Sequence, residues 1–162
     1  MSRLDTAINR LVAQRDCLNW AMERTAGLDG VVLELGLGNG RTYDHLRQVA
    51  AGRRILVFER MVNAHPDCVP PDHDLLTGDF LDSLPRAARL VGAGAALAHA
   101  DLGTGDKDAS VALAARVAPV LVPLLRTGAI VVSDQPMTDP GLRELPRLPG
   151  IRDGRIFMFE RI

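Results

Sequence analysis

The chain has 162 residues, 47% of them hydrophobic and 24% charged, and its formal net charge at pH 7 is −1. Length and composition predict one soluble globular domain over residues 1–162, and the near-neutral charge argues against a nucleic-acid partner, because phosphate binding requires a basic face. With no signal sequence and no apolar run near the roughly 20 residues of a membrane span, we expect a cytoplasmic protein that does not enter a membrane.

Two kinds of segment alternate along the chain. Apolar residues at helical spacing predict an N-terminal helix over residues 5–26, which ends at Gly27. Short apolar runs predict buried strands over residues 31–35, 55–58, 75–77, 95–100, 129–133 and 155–161. Further helices are predicted over residues 42–51, 81–91 and 106–126, the last disturbed by Pro119 and Pro123.

This alternation predicts the fold class. Strands that alternate with helices form βαβ units, so we expect an α/β protein with a single doubly wound, mostly parallel sheet and helices on both faces. The last strand is predicted to run antiparallel. Ligands of such folds bind at the carboxyl ends of the strands.

The first strand runs into a glycine-rich loop, Glu34-Leu35-Gly36-Leu37-Gly38-Asn39-Gly40. Glycines let the backbone turn tightly and let a ligand approach the main chain. In the dinucleotide fingerprint the third glycine would stand at position 41, which is Arg41 here. The loop therefore predicts a nucleoside-type ligand and disfavours NAD.

The loop resembles the first motif of the class I S-adenosylmethionine-dependent methyltransferases, which is an acid, one apolar residue and Gly-x-Gly-x-Gly. The chain is similar to this family at three further strand ends: at Glu59, where the family holds both ribose hydroxyls, at Gly78-Asp79-Phe80, where it binds the adenine amino group, and at Asp101. The resemblance covers roughly residues 31–135. It implies a Rossmann-like methyltransferase fold, although the predicted sheet is one terminal strand short, and S-adenosyl-L-methionine as the cofactor.

The resemblance also implies which residues contact the cofactor. A carboxylate such as Glu59 can accept two hydroxyl hydrogen bonds, although Asp79 could simply cap a helix and Phe80 could belong to the core. Trp20 lies on the N-terminal helix, which in this family often folds over the cofactor, but packing explains it equally well. The predicted contacts are Trp20, Glu34, Gly36, Leu37, Gly38, Asn39, Gly40, Thr42, Glu59, Arg60, Gly78, Asp79, Phe80 and Asp101.

Catalytic residues are harder to predict. Methyl transfer depends on alignment, and a base is needed only if the acceptor loses a proton. The family's amino methylases carry Asn/Asp-Pro-Pro-aromatic where this chain has Asp101-Leu102-Gly103-Thr104, and neither cysteine follows a proline as in the cytosine carbon methylases. Both subclasses are disfavoured. Asp101 and His99 share a strand face and are the candidate proton acceptors, although a structural histidine is the safer interpretation of His99.

Asp101 and Asp134-Gln135 together resemble the ligand set of the small catechol-type O-methyltransferases, which bind a divalent cation. Oxygen ligands suit Mg²⁺. The match is partial, because Gln135 stands where those enzymes have Asn. We therefore predict no metal and keep a magnesium site at Asp101, Asp134 and Gln135 as the minority hypothesis.

The predicted function is S-adenosylmethionine-dependent methyl transfer to a small-molecule acceptor, with an oxygen nucleophile as one possibility. The alternative is a non-catalytic module that binds S-adenosylmethionine or a nucleoside and acts through a partner protein. A partner subunit, as in a homo-oligomer, could complete the site, since no insertion is available as a substrate lid.

Overall fold

The computed structural model describes residues 2–162, and its seven strands form one sheet. Met1, the first residue of the predicted domain, lies outside the described residues. The strands are β1 (Val31–Leu35), β2 (Ile55–Glu59), β3 (Leu75–Thr77), β4 (Ala95–Ala100), β5 (Leu125–Ser133), β6 (Leu142–Glu144) and β7 (Phe157–Arg161). The α-helices are α1 (Arg3–Arg24), α2 (Arg41–Val49), α3 (Phe80–Val91) and α4 (Lys107–Leu121).

The strand order is β3-β2-β1-β4-β5-β7-β6. Strands β1 to β5 pair in parallel, whereas β7 runs antiparallel between β5 and β6. The predicted fold class is therefore confirmed, including the antiparallel last strand. The order changes direction between β1 and β4, so the carboxyl ends of these two strands form the crevice in which such folds bind ligands.

Two sequence predictions were wrong. The predicted helix over residues 106–126 is too long, because α4 ends at Leu121, a 3₁₀ turn covers Val122–Leu124 and β5 begins at Leu125. Pro123 lacks the backbone N–H that a helix interior uses and the α-helix ends before it, whereas Pro119 is accommodated inside α4. The sheet is also not short of a strand, since β6 lies between the predicted strands over residues 129–133 and 155–161, where no strand was predicted.

The sheet separates two hydrophobic clusters. In β1, Leu33 and Leu35 belong to the cluster under α3 and α4, whereas Val32 belongs to the cluster under α1 and α2. Side chains alternate along a strand, so Glu34 faces the same side as Val32. By the same alternation His99, two residues after Leu97, faces α1 and α2.

Helix α1 begins with a capping box and lies across β4, β5 and α2. The Asp5 N–H donates to Ser2 Oγ at 3.0 Å, and the Ser2 N–H donates to Asp5 Oδ2 at 2.9 Å, which satisfies two free donors of the first turn. At the other end, the Arg53 side chain donates to the Thr25 and Leu28 carbonyls at 2.5 and 2.9 Å. Across residues 2–162, no helix is both long and apolar enough to span a membrane.

Candidate active site

The glycine loop connects β1 to α2, and its three glycines have a positive φ. Gly36 has a φ of 89°, and a Cβ added there would lie 2.4 Å from the Asp101 carbonyl oxygen. Gly38 has a φ of 51°, and a Cβ there would meet no atom within 4 Å. Gly36 therefore permits the close approach of β1 and β4, whereas Gly38 keeps space open beside the loop.

The carboxylate of Glu59, at the end of β2, is bound by four backbone N–H groups. Glu59 Oε2 accepts from Leu37 at 2.8 Å and from Gly38 at 3.1 Å, and Oε1 accepts from Arg60 at 2.7 Å and from Met61 at 3.1 Å. An ionised carboxylate offers about four lone-pair sites. Glu59 thus joins the glycine loop to the end of β2 and has no unused acceptor site before a ligand arrives.

Glu34 is fully buried and forms hydrogen bonds with both of its oxygens. Oε1 accepts from the Thr42 hydroxyl at the start of α2, and Oε2 lies 2.8 Å from His99 Nδ1. His99 is also fully buried, and its Nε2 has no hydrogen-bond partner among the described residues. The geometry therefore directs Glu34 and His99 toward each other and away from the solvent-accessible cleft.

Asp101 directly follows β4 and is contacted from α1. Gln14 Nε2 donates to Asp101 Oδ2 at 3.2 Å, and Arg10 Nη1 lies 3.9 Å from the same oxygen. The Asp101 side chain is 32% exposed. The carboxylate is thus oriented through one oxygen and open to solvent.

Two adjoining cavities lie at this edge of the sheet, and both are lined by Arg10, Gly38 and Asp101. The larger, of about 380 Å³, adds Gly36, Glu59, Arg60, Phe80, Leu102, Gly103, Thr104 and Leu113. The smaller, of about 70 Å³, adds Leu11, Gln14, Leu37, Asn39, Arg41 and Thr42. The predicted acids at the ends of β2 and β4 therefore face one continuous region beside the loop.

Asp134 follows β5 and lies beside Asp101. Its Oδ1 accepts from the Leu102 N–H at 2.8 Å, and its Oδ2 accepts from Gln135 Nε2 at 3.0 Å. Burial raises the pKa of Asp134 above its ordinary value, and the negative charge of Asp101 adds to this rise. Within residues 2–162, no group of three or more His, Cys, Asp or Glu side chains is arranged to hold a metal ion.

Some predicted contacts lie elsewhere. Trp20 packs against the cluster under α1 and α2 and lines neither cavity. Asp79 caps α3, with its Oδ1 accepting from the Leu81 N–H at 2.9 Å, and it too lines neither cavity. Phe80, the first residue of α3, both packs against the core and lines the larger cavity.

Sequence reasoning missed the lining residues of two helices, Arg10, Leu11 and Gln14 on α1 and Leu113 on α4, and the segment Leu102-Gly103-Thr104 after Asp101. Gln14 is only 2% exposed and stands among the apolar residues that α1 buries. A buried polar residue needs a partner. That signal, with Arg10 one turn earlier, could have identified the part of α1 that faces the site.

Comparison with known proteins identifies the family. The family described as S-adenosyl-L-methionine methyltransferase matches residues 1–161. The chain belongs to this family. The S-adenosyl-L-methionine methyl transferase from Silicibacter pomeroyi DSS-3 is 48% identical in sequence, with 100% of this chain and 99% of that chain covered and a TM-score of 0.94. No curated protein matches the chain.

More distant structures share the fold alone. The antibiotic-resistance methyltransferase Kmr is 12% identical, with 86% of this chain and 90% of that chain covered and a TM-score of 0.57. TrmN from Thermus thermophilus is 16% identical, with 90% of this chain and 48% of that chain covered and a TM-score of 0.55. The family match and the 48% identical relative show that the protein is an S-adenosylmethionine-dependent methyltransferase, and its fold is Rossmann-like.

The cavity fits this cofactor in its chemistry. Any side chain at position 38 would fill the open space beside the loop, which glycine leaves free for a ligand. The same cavity contains the Glu59 carboxylate at the end of β2 and the apolar side chains of Phe80 and Leu113. A carboxylate next to two apolar side chains suits a nucleoside, which offers two ribose hydroxyls and the flat face of an aromatic base.

Proposed function

We propose that this methyltransferase acts on the hydroxyl oxygen of a small-molecule acceptor and that Asp101 accepts the hydroxyl proton. The observation that carries the proposal is the position of Asp101. Its carboxylate borders both cavities, and Gln14 and Arg10 contact only Oδ2, which leaves Oδ1 for an acceptor. A base must reach the proton it removes.

The chain's own residues divide the cofactor site into two parts. Glu59 would hold the ribose hydroxyls, and Phe80 and Leu113 would cover the faces of the adenine. Because Glu59 already occupies the Leu37 and Gly38 N–H groups, the carboxylate end of the cofactor needs other donors. Arg10 and Arg41 line the smaller cavity and would supply them.

The bound cofactor supplies an electrophilic methyl group on a sulfonium. The acceptor oxygen would bond to this methyl carbon as the carbon–sulfur bond breaks, and the electron pair of that bond would stay on the sulfur. The oxygen's proton passes to Asp101 and then to solvent. The remaining work is alignment, which the rigid strand ends and the contacts from α1 provide.

The first experiment measures binding by calorimetry. S-adenosylhomocysteine should bind, and NAD should not. NAD is excluded because Arg41 replaces the glycine that a dinucleotide loop needs. Equal or tighter binding of NAD would therefore refute the assignment of this loop to S-adenosylmethionine.

The second experiment measures methyl transfer with panels of small hydroxyl and amine acceptors. Asp101→Asn should lower turnover of a hydroxyl acceptor at least about 100-fold, the usual contribution of a general base, with a smaller change in cofactor affinity. Asp108→Asn, at an exposed acid of α4, is the matched control. Methylation of amines alone would refute the hydroxyl acceptor, and cofactor binding with no methylation of either panel would favour the non-catalytic module.

A further inference from the structure

The most unusual feature outside the open cavity is the buried pair of Glu34 and His99. The two residues are neighbours in the register of β1 and β4, and both side chains are 0% exposed. An isolated buried carboxylate is strongly destabilising, because it loses its hydration without gaining a counter-charge. The 2.8 Å contact with His99 Nδ1 supplies a partner from the β4 position directly opposite Glu34.

The surroundings of His99 favour a positive charge on the ring. Glu34 faces it from β1, and Asp101 and Asp134 act on it from the ends of β4 and β5. Helix α1 contributes uncharged Gln14 and the more exposed Arg10, which lies near Asp101, and α2 contributes the Thr42 hydroxyl on the far side of Glu34.

The net effect on the His99 pKa follows from opposed causes. Burial lowers it, but the charge and hydrogen bond of Glu34 raise it, and Asp101 and Asp134 raise it further, so that the pKa lies above the ordinary value of 6.5. The ring is buried although its Nε2 has no partner in the part of the chain that the structure describes, which costs stability. Because Nε2 makes no hydrogen bond there, the polar contribution of His99 comes from the contact between Nδ1 and Glu34.

This pair connects the two sides of the cofactor crevice. Through Glu34 Oε1, His99 is linked to Thr42, the second residue of α2, which follows directly after the glycine loop. Through its own strand, His99 is two residues from Asp101. Loss of the contact between Glu34 and His99 would thus shift the position of the start of α2 relative to the end of β4.

We infer that His99 is a positioning residue: as an imidazolium it neutralises the buried Glu34, which holds Thr42 and the glycine loop in the shape that binds the cofactor. Glu34 then acts inside the protein and does not contact the cofactor itself. The inference rests on the proposed placement of the cofactor beside this loop.

The pH dependence has a definite sign. A histidine whose pKa is raised in the folded state contributes stability that is complete below its unfolded pKa and is lost as pH rises through the folded value. Above that value, neutral His99 leaves Glu34 as a buried charge without a counter-ion. Cofactor affinity and thermal stability should therefore decline together on the alkaline side.

The direct test is an NMR titration of the four histidine rings in the free protein. In the wild type, the pKa of His99 should lie above about 6.5, and Glu34→Gln should lower it. A His99 pKa at or below about 6.5 in the wild type would overturn the inference, and this measurement needs neither a cofactor nor a variant that must fold.

The second test measures the dissociation constant of S-adenosylhomocysteine from pH 6.5 to pH 9.5. Wild-type affinity should fall about tenfold over this range, equivalent to about one pKa unit of linkage. His99→Gln should bind about tenfold more weakly at pH 7 and show no alkaline decline. His45→Gln is the matched control, because this half-buried ring on α2 contacts the uncharged Asn19 side chain at 2.7 Å.

Thr42→Val distinguishes the hydrogen bond between Thr42 and Glu34 from the charge of His99. The His99 pKa should stay raised, because the charge pair is kept, while cofactor binding weakens through loss of the hydroxyl that joins Glu34 to α2 and lines the smaller cavity. Wild-type pH dependence in His99→Gln would overturn the inference while leaving the cofactor site intact. Failure of the wild type to bind S-adenosylhomocysteine at any pH would instead refute the proposed site.

Discussion

Replacement of Glu59 by alanine tests the placement of the ribose most directly. The substitution removes a carboxylate that the ligand would use and that already accepts four backbone N–H groups. Binding of the ribose hydroxyls therefore cannot be a simple gain of two hydrogen bonds. The two longer contacts, at 3.1 Å from Gly38 and Met61, have to open first.

This exchange sets the magnitude. Two hydroxyl bonds to a carboxylate contribute about 2 kcal/mol each, whereas the two displaced backbone bonds, at 3.1 Å longer than usual for a charged acceptor, cost about 1 kcal/mol each. We therefore expect Glu59→Ala to weaken cofactor binding by about 2 kcal/mol, a factor of about 30. Without the exchange the loss would be about 4 kcal/mol, a factor of about 1,000.

The assay is calorimetric titration with S-adenosylhomocysteine, with thermal unfolding of the free protein measured in parallel. The free variant should also unfold earlier, by about 2–4 °C for each kcal/mol lost in a protein of this size, because the loop loses its anchor. Glu144→Ala, at an exposed acid of β6 on the opposite edge of the sheet, is the control. A folded Glu59→Ala protein that binds within threefold of the wild type would refute the ribose contact.

Two further predictions concern the loop and the metal hypothesis. Gly36→Ala should destabilise the fold by about 1–3 kcal/mol, because its Cβ would collide with the Asp101 carbonyl at 2.4 Å. Gly38→Val meets no atom within 4 Å, but its β-branched side chain strains a backbone held at a φ of 51°, so it should cost about 1–2 kcal/mol of stability and abolish cofactor binding. Denaturant melts and calorimetric titration measure the two effects, and a folded Gly38→Val protein with full affinity would contradict the site. A chelator should leave turnover unchanged, since both Asp134 oxygens already accept hydrogen bonds from Leu102 and Gln135; loss of turnover that Mg²⁺ restores, and that Asp134→Ala reproduces, would establish the cation site instead.

The sequence predicted the central strands closely and the chain's last third less well. β1, β3 and β4 have the predicted bounds, because each is a short apolar run that ends at a glycine or an acid. The boundary between α4 and β5 was misplaced, since an apolar stretch next to prolines fits either element. β6 was missed because its three residues are mostly exposed and carry no strand pattern.

The candidate site divides in the same way. Glu59 and Asp101 could be located from strand order alone, because parallel strands bring their carboxyl ends to one edge. Their partners could not. That Glu59 binds the loop's own N–H groups depends on loop conformation, and the contact of Gln14 with Asp101 depends on how α1 docks. The pairing of Glu34 with His99 depends on the register of β1 and β4, which no local pattern specifies.

Both edges of the sheet have a consequence for how copies of the chain can meet. β3 at one edge and β6 at the other have three residues each, so neither offers a long row of free backbone groups that a neighbouring chain could extend. Short edge strands are one way in which proteins avoid aggregation by strand addition. We therefore expect two copies to associate through side-chain surfaces, and the same two short strands limit cross-β growth between chains during expression.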